Sequence, residues 1–325
     1  MSLKKAKVYF ISARSPLHGT EPPLGSSLVA KARTLFRAAG LDKCISKDDR
    51  VAIKIHPGGD ENTGYLRPRL VREIVDEVKR AGGKPFCADA SAALGFGWYG
   101  DRHTAEQYIR TATMNGYTEA TLGCPFVVAD GWNGTDEFLV DGHKLKNIRV
   151  ARAFAEADAL IAITHFKTGP AFGGALKNVA IGCLSKMGKF HIHNVRAAKI
   201  DKNKCVGKNC DWWEQCVKGC PFDAIRIAKD HAEVVEEKCV YCGFCWRVCD
   251  WAGHHAVSGP GYEKFMMRAA DALSALLSLF RKDKVGHISF LIDINPVCDC
   301  LPCTDTPMFQ NIGILASKDI VALDC

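Results

Sequence analysis

The sequence predicts an α/β fold built on a mostly parallel sheet with helices on both faces, broken by one small α+β insertion. Segments of strand length, rich in β-branched and apolar residues, alternate with amphipathic segments of helix length from the N-terminus onward. Between Lys199 and Val257 that rhythm stops and cysteine and tryptophan become frequent; it resumes only after Gly261. The length of 325 residues, with 47% hydrophobic and 24% charged, suits one large α/β domain with an insertion or two ordinary domains.

In order, AKVYFISA (6–13) reads as a strand and SSLVAKARTLFRAAG (26–40) as an amphipathic helix stopping at Gly40. DRVAIKIH (49–56) is a β-branched strand. After the glycine-containing loop PGGDENTGYLR, Pro68 suits the first turn of a helix that ends at Gly82-Gly83. KPFCADA (84–90) is a third strand, followed by a glycine-rich loop and the helix HTAEQYIRTATMNG (103–116). ADALIAITHF (157–166) is a buried strand, and GGALKNVAIG (173–182) the helix after it. HISFLIDI (287–294) and IGILAS (312–317) are late strands. Strands spaced this way imply βαβ units in a Rossmann-like arrangement, with ligands beyond the carboxyl ends of the strands. The chain stops at VALDC with the pattern of an opening helix, so the natural protein is expected to extend past Cys325. The domains expected are a host domain in two parts, 1–198 and 259–325, with an insertion over 199–258.

Several function classes are disfavoured. Arg268 and Asp271 interrupt the most apolar stretch, Phe265 to Phe280, which reads as an amphipathic core helix rather than the ~18 apolar residues a membrane span needs. MSLKKAKVYF carries no secretory signal pattern, which predicts a cytoplasmic protein. Sixteen cysteines there point to metal binding or thiol chemistry, not to a disulfide scaffold. The net charge of +7 comes without a nucleic-acid-binding signature. Lys199, Lys202, Lys204, Lys208, Lys218 and Lys238 lie instead around the cysteine-rich segment, where cations would offset an anionic cluster.

CVYCGFCWRVC sets Cys239, Cys242, Cys245 and Cys249 in C-x2-C-x2-C-x3-C order, the spacing of bacterial-type [4Fe–4S] ligation. Ahead of it Cys205, Cys210, Cys216 and Cys220 form C-x4-C-x5-C-x3-C, with Pro221 after the last. Zinc also takes four thiolates, but zinc knuckles leave no use for the x3 cysteines. The segment from about Ile200 to Val257 resembles two-[4Fe–4S] ferredoxins. That resemblance implies crossed fourth ligands: Cys205, Cys210, Cys216 and Cys249 for one cluster, and Cys239, Cys242, Cys245 and Cys220 for the other. The first loop is longer than the usual spacing, and Asp250 stands where a proline commonly follows the last cysteine.

In the host domain, Lys54 and His56 alternate with Ile53 and Ile55 at a strand end and therefore share a side. His165 and Lys167 have the same alternation, and the helix after Gly173-Gly174 carries Lys177 and Asn178. Lys54, His56, His165, Lys167 and Lys177 are the candidate catalytic or anion-binding residues, and the backbone N–H groups at that helix start are a candidate carboxylate or phosphate site. His191 and His193 in KFHIHN, read as extended, would share a face where two imidazoles could hold a metal. No GxGxxG follows the first strand and no GxxxxGK[ST] is present, so a nicotinamide or nucleoside-triphosphate site is not indicated.

VAIKIHPGGDENTGYLRP, HFKTGPAFGGALKNVAIG and DINPVCDC with DTPMFQNIGILASKDIVALD together resemble the DUF362 family of iron–sulfur-centre proteins across nearly the whole chain. The resemblance implies an α/β host domain with ferredoxin clusters and a redox role, without a substrate. In the second motif Gly169 and Pro170 follow where a further histidine is common. In the third, Cys298, Cys300 and Cys303 form a candidate third metal or cluster site, with Cys183 as a fourth ligand, or else a structural or reactive dithiol. The expected function is electron passage through two [4Fe–4S] clusters to a partner protein or to a host-domain site. The alternative is a reductase acting on a small anionic substrate at the sheet edge. Neither a nucleic acid nor a membrane is expected as partner.

Overall fold

The computed structural model describes residues 6–15, 25–93, 102–167, 173–193, 199–220, 222–239, 244–258 and 262–325. Gly169, Pro170, Pro221 and Cys242 lie outside the described residues. The strands are β1 (Tyr9–Ser12), β2 (Arg50–Lys54), β3 (Lys84–Asp89), β4 (Phe126–Val128), β5 (Glu137–Val140), β6 (Ile148–Ala151), β7 (Ala159–His165), β8 (Lys199–Ile200), β9 (Ile225–Ala228), β10 (His231–Val234), β11 (Val257–Ser258), β12 (Val285–Leu291) and β13 (Gly313–Ser317). The α-helices are α1 (Leu28–Ala38), α2 (Pro68–Arg80), α3 (Ala105–Met114), α4 (Glu119–Leu122), α5 (Arg152–Ala155), α6 (Gly174–Ala180), α7 (Lys186–His193), α8 (Trp213–Lys218), α9 (Phe244–Trp251), α10 (Tyr262–Ser278) and α11 (Ile320–Asp324).

Seven strands form one sheet in the order β1-β13-β12-β7-β2-β3-β4. The run from β12 to β4 is parallel, while β13 runs antiparallel to both β12 and β1. An antiparallel edge on a parallel sheet is a common mixed arrangement. Alternation along the strands sends residues to two cores. Val51, Ile53, Ile161, Ile163, Ile288 and Phe290 pack with α1 and α2. Ala52, Ala88, Leu160 and Ala162 pack with α6, α10 and α11. Helices therefore cover both faces, and the parallel strands are buried on both sides. Among the described residues no helix is long and apolar enough to cross a membrane.

Departures from the sequence expectation are local. The β5–β6 hairpin has no apolar alternation to announce it, since Phe138 and Leu139 are both exposed. Within KFHIHN, residues 189–193 belong to helix α7 and are not extended. The period-2 argument that would put positions 191 and 193 on one side of a strand does not apply to a helix. Phe190 and Ile192 are buried in this helix, and Arg268 Nη1 donates to the His191 carbonyl at 2.5 Å.

In the cysteine-rich segment 199–258, Ile200 pairs with Val257 and Lys199 with Ser258, which brings the two ends of the segment side by side. The β9–β10 hairpin, α8 and α9 lie between them around a small core of Ile225, Ala232, Cys245 and Val257.

Candidate functional site at the carboxyl edge of the sheet

The carboxyl ends of β2, β3, β7 and β12 carry the polar residues of the host domain. Asp89, the last residue of β3, is buried and accepts from four directions. Lys54 Nζ stands 3.1 Å from Oδ1, while His56 Nδ1 and the Tyr108 hydroxyl reach Oδ2 at 2.8 and 2.5 Å. The Ala90 N–H completes the set, on Oδ1 at 2.8 Å. Burial would raise the Asp89 pKa, but the neighbouring Lys54, His56 and Lys189 prevail and hold it well below the ordinary carboxylate range. The alternation of Lys54 and His56 thus turns both side chains onto one carboxylate.

Lys54 is 1% exposed and fully engaged, donating also to Asn178 Oδ1 at 2.7 Å and to the Ile55 carbonyl at 2.6 Å. Asn178, on α6, in turn donates to the Ile163 carbonyl and Thr164 Oγ1, which ties α6 to the end of β7. Gly182 lets the lysine pass: a Cβ there would come 2.3 Å from Lys54 Cε and 2.2 Å from the Asn178 carbonyl oxygen. Gly182→Ala is expected to lower stability by about 1–3 kcal/mol through overpacking. A denaturant-unfolding midpoint unchanged from the wild type would contradict that close approach.

A second ion-pair group lies at the ends of β7 and β12. Asp299 is 3% exposed, with His165 Nδ1 2.8 Å from Oδ2 and Lys167 Nζ 3.3 Å from Oδ1. His165 Nε2 faces the Ile292 carbonyl at 2.7 Å, so both ring nitrogens are engaged and neither is free to ligate a metal. Lys167 Nζ also lies 3.2 Å from the Asp293 carbonyl and 3.5 Å from that of Gly64. The PGGDENTG loop packs directly on the cysteine loop: Gly59 N–H donates to the Asp299 carbonyl, and Asn62 Nδ2 to the carbonyls of Leu301 and Cys303. A Cβ at Gly59 would sit 3.1 Å from the Cys300 carbonyl oxygen.

On that loop the Cys300 thiol donates to Cys298 Sγ at 2.8 Å, and both residues are partly exposed. The hydrogen bond from Cys300, reinforced by the charge of Lys177, sets the Cys298 thiol well below its usual range despite burial. Cys300, as the donor, is pushed up. Arg102 Nη2 donates to the Cys300 carbonyl at 2.8 Å, Nη1 lies 3.4 Å from His56 Nε2, and the guanidinium stacks 5.7 Å from the Tyr108 ring centroid. Arg102 thus links the Asp89 group to the backbone of the cysteine loop that also carries Asp299. Cys303 is exposed, and Cys183 is buried in the second core with its thiol pushed up to about 12 by burial. Among the described residues no three or more His, Cys, Asp or Glu side chains gather as a single metal ion would need.

The start of α6 is already occupied. Asp324 accepts from the Ala175 and Leu176 N–H groups at 3.0 and 2.6 Å, and a Cβ at Gly174, where φ is +62°, would strike its carboxylate. The anion that this helix end binds is the chain's own, which removes it as a substrate site. Arg102, Tyr108, Asp299 and Lys189 were not singled out by sequence. Each acts through a partner far along the chain, and the signal available was only a buried carboxylate at a strand end.

In the insertion, Cys205, Cys210, Cys216 and Cys249 line one cavity, walled mainly by apolar residues including Trp212, Trp213, Ile225 and Val248. Backbone N–H groups of Ala232, Trp212 and Ala256 donate to the sulfurs of Cys205, Cys210 and Cys249 at 3.2, 3.4 and 3.1 Å. Burial together with the other three sulfurs pushes the Cys216 thiol up to about 12. Cys220 receives the Ala224 N–H at 3.3 Å. Cys239 is part-exposed, Cys245 is buried, and Cys242 is outside the described residues.

No curated protein matches this chain. Among solved structures it is similar to the lactate racemase apoprotein from Thermoanaerobacterium thermosaccharolyticum, with a TM-score of 0.39 and 16% identity, over 81% of this chain and 49% of that one. The chain spans about half the length of that protein. A family model described as "Domain of unknown function (DUF362)" matches residues 51–325, from β2 through the cysteine loop to the end of α11. That span takes in every side chain of the two ion-pair groups, and the chain belongs to the DUF362 family.

Proposed function

We propose that this is an iron–sulfur redox protein passing electrons through two [4Fe–4S] clusters to a site on its α/β domain or to a partner protein. Cys205, Cys210, Cys216 and Cys249 would hold one cluster, and Cys239, Cys242, Cys245 and Cys220 the other. The observation that supports this reading is that Cys249 lines the same cavity as Cys205, Cys210 and Cys216, with Cys245 also on its wall. The crossed assignment of fourth ligands follows from the ferredoxin resemblance. The donor set fits: four thiols, an apolar wall that limits water, and backbone N–H groups on three of the sulfurs. Such N–H groups stabilise sulfur-borne negative charge and tune potential. When bound, the clusters supply one-electron transfer. The cysteine count suits a reducing compartment, and a cytoplasmic location belongs to this reading.

Iron and acid-labile sulfide, measured after anaerobic purification, are expected at about eight of each per chain, four for each cluster. Cys216→Ser should remove roughly half of the iron, and adding Cys239→Ser most of the remainder. Iron at background level in the anaerobically prepared protein, or tightly held zinc in its place, would sink the proposal.

The polar sheet edge supports a second element of this reading, a small anionic substrate bound beside the thiols. Lys177 has no ion-pair partner among the described residues, yet its charge reaches both Cys298 and Cys300. Arg102 adds a second cation at the same place.

A further inference from the structure

We infer that Cys298 and Cys300 are a redox-active dithiol that reduces disulfides carrying negative charge, with Cys298 as the attacking and Cys300 as the resolving thiol. The two sulfurs are 2.8 Å apart and only partly exposed. Of the other host-domain cysteines, Cys44, Cys87, Cys124 and Cys183 are buried in the two cores, while Cys303 and Cys325 are exposed, so the peptide map must assign each modified thiol.

The backbone that carries the pair is braced on three sides. Leu301 N–H donates to the Cys298 carbonyl at 2.9 Å, Arg102 to the Cys300 carbonyl, and Gly59 to the Asp299 carbonyl between them. The Asp299 side chain is anchored by His165 and Lys167 on the far side of the loop. Two thiols fixed at this separation, one donating to the other, are arranged for closure to a disulfide rather than for separate structural roles. Arg102 bonds the Cys300 carbonyl, and its charge and that of Lys177 both act on the thiol pair, which favours substrates that bring negative charge.

The steps balance. The Cys298 sulfur attacks one sulfur of the substrate R–S–S–R, forming a mixed disulfide and releasing RS⁻. The Cys300 thiol passes its proton to the released RS⁻ and attacks the Cys298 sulfur, closing Cys298–Cys300 and releasing the second RS⁻. That second RS⁻ takes up from solvent the equivalent of the proton that Cys298 lost on forming its thiolate, so two RSH leave in all. The substrate gains two electrons and the dithiol loses two. Reopening the internal disulfide takes two electrons and two protons. In the reading above each cluster contributes one electron; in vitro a small dithiol contributes both. Only this regeneration rests on the cluster proposal.

The test uses the anaerobically purified, cluster-loaded protein after mild reduction. It is reacted with an aryl disulfide bearing carboxylates and, separately, with an uncharged dipyridyl disulfide. Released thiol is followed by absorbance, and the modified cysteines are located by alkylation and peptide mass mapping. The wild type should end with a Cys298–Cys300 disulfide and no reagent attached to either residue. Cys300→Ser should stop at a mixed disulfide on Cys298. Cys298→Ser should react at Cys300 roughly tenfold more slowly or less. Lys177→Met should slow both reagents, because the Lys177 charge favours the Cys298 thiolate. It should slow the anionic one several-fold more than the neutral one; equal slowing of the two overturns the preference for charged disulfides.

A wild-type map lacking the internal disulfide overturns the inference whether or not the variants fold. Equal rates for Cys298→Ser and Cys300→Ser overturn the assigned order. A metal above the two-cluster iron count that is lost with Cys298→Ser overturns the dithiol in favour of a metal site. Iron content is read separately, so failure of the cluster proposal and failure of the dithiol are distinguishable.

Discussion

Asp89→Asn is expected to destabilise the protein by about 3–5 kcal/mol, the range for removing one partner of a buried ion pair. Asparagine keeps the shape but puts an amide NH2 in place of one carboxylate oxygen, so two of the four donors lose their acceptor along with the charge. What remains is a Lys54 ammonium 1% exposed, with only the Ile55 carbonyl and Asn178 amide oxygen as partners. Lys189 is left in the same position, donating to the Ala90 and Ser91 carbonyls at 2.7 Å while burial and its cationic neighbours already lower its pKa. Denaturant unfolding followed by far-UV circular dichroism measures the loss. Combining Asp89→Asn with Lys54→Met should cost clearly less than the sum of the single changes, because the residues share one interaction. Strict additivity, or a loss below about 1 kcal/mol for Asp89→Asn, would show that the pair is not coupled as described.

The same group sets an acid dependence. Burial pushes the Asp89 carboxyl upward, but Lys54, His56 and Lys189 hold it below its unfolded value of about 3.9. A folded pKa below the unfolded one gives stability that is complete above about pH 4 and is lost as pH falls through the folded value. Wild-type stability should therefore fall on acidification below about pH 4, and the Asp89→Asn curve should be flatter over that window.

Much of this arrangement was legible in the sequence, and the limits have physical causes. The period-2 placement of Lys54 and His56 identified their shared side, because strand geometry fixes it. Their common partner Asp89 lies near the end of the strand read over 84–90, with nothing local to mark it as a partner. Pairing across strands depends on register, and a single sequence carries no sign of register. The helix after Gly173-Gly174 was recognised, but its N–H groups are taken by Asp324, a contact across the whole host domain that no local pattern encodes. His191 and His193 were misread because KFHIHN alternates apolar and polar residues like a strand, while packing of Phe190 and Ile192 favours the helix. The spacing of Cys205, Cys210 and Cys216 departs from the usual ferredoxin loop, yet these residues share one cavity with Cys249. For the cysteine loop, sequence located the three thiols beyond a strand end but not their brace. Asp299 stands between two cysteines with no local sign of its role, which depends on His165 at the end of β7 and Lys167 just beyond it.

Asp299→Asn follows from that brace and is expected to cost about 3–5 kcal/mol and also to loosen the dithiol. The Asp299 carboxylate is 3% exposed; Oδ2 takes the His165 bond, while Oδ1 meets Lys167 at 3.3 Å without the alignment of a hydrogen bond. Losing the charge leaves Lys167, 8% exposed, held only by the carbonyls of Asp293 and Gly64. Lys167 spans the first loop, the strand β7 end and the cysteine loop, so its release should be felt in all three. Two measurements separate this from general destabilisation. In mild conditions, where the variant is fully folded, closure of the Cys298–Cys300 disulfide after the first exchange step should slow, since the two thiols are no longer fixed together. Hydrogen exchange of the Leu301 N–H, bonded to the Cys298 carbonyl, should accelerate in the same sample. Lys167→Met alone should reproduce part of both effects, and the double variant should fall short of their sum. Unchanged closure kinetics in a folded Asp299→Asn protein would mean that the thiols are held by Arg102 and Gly59 alone, and that the buried carboxylate serves stability without positioning the dithiol.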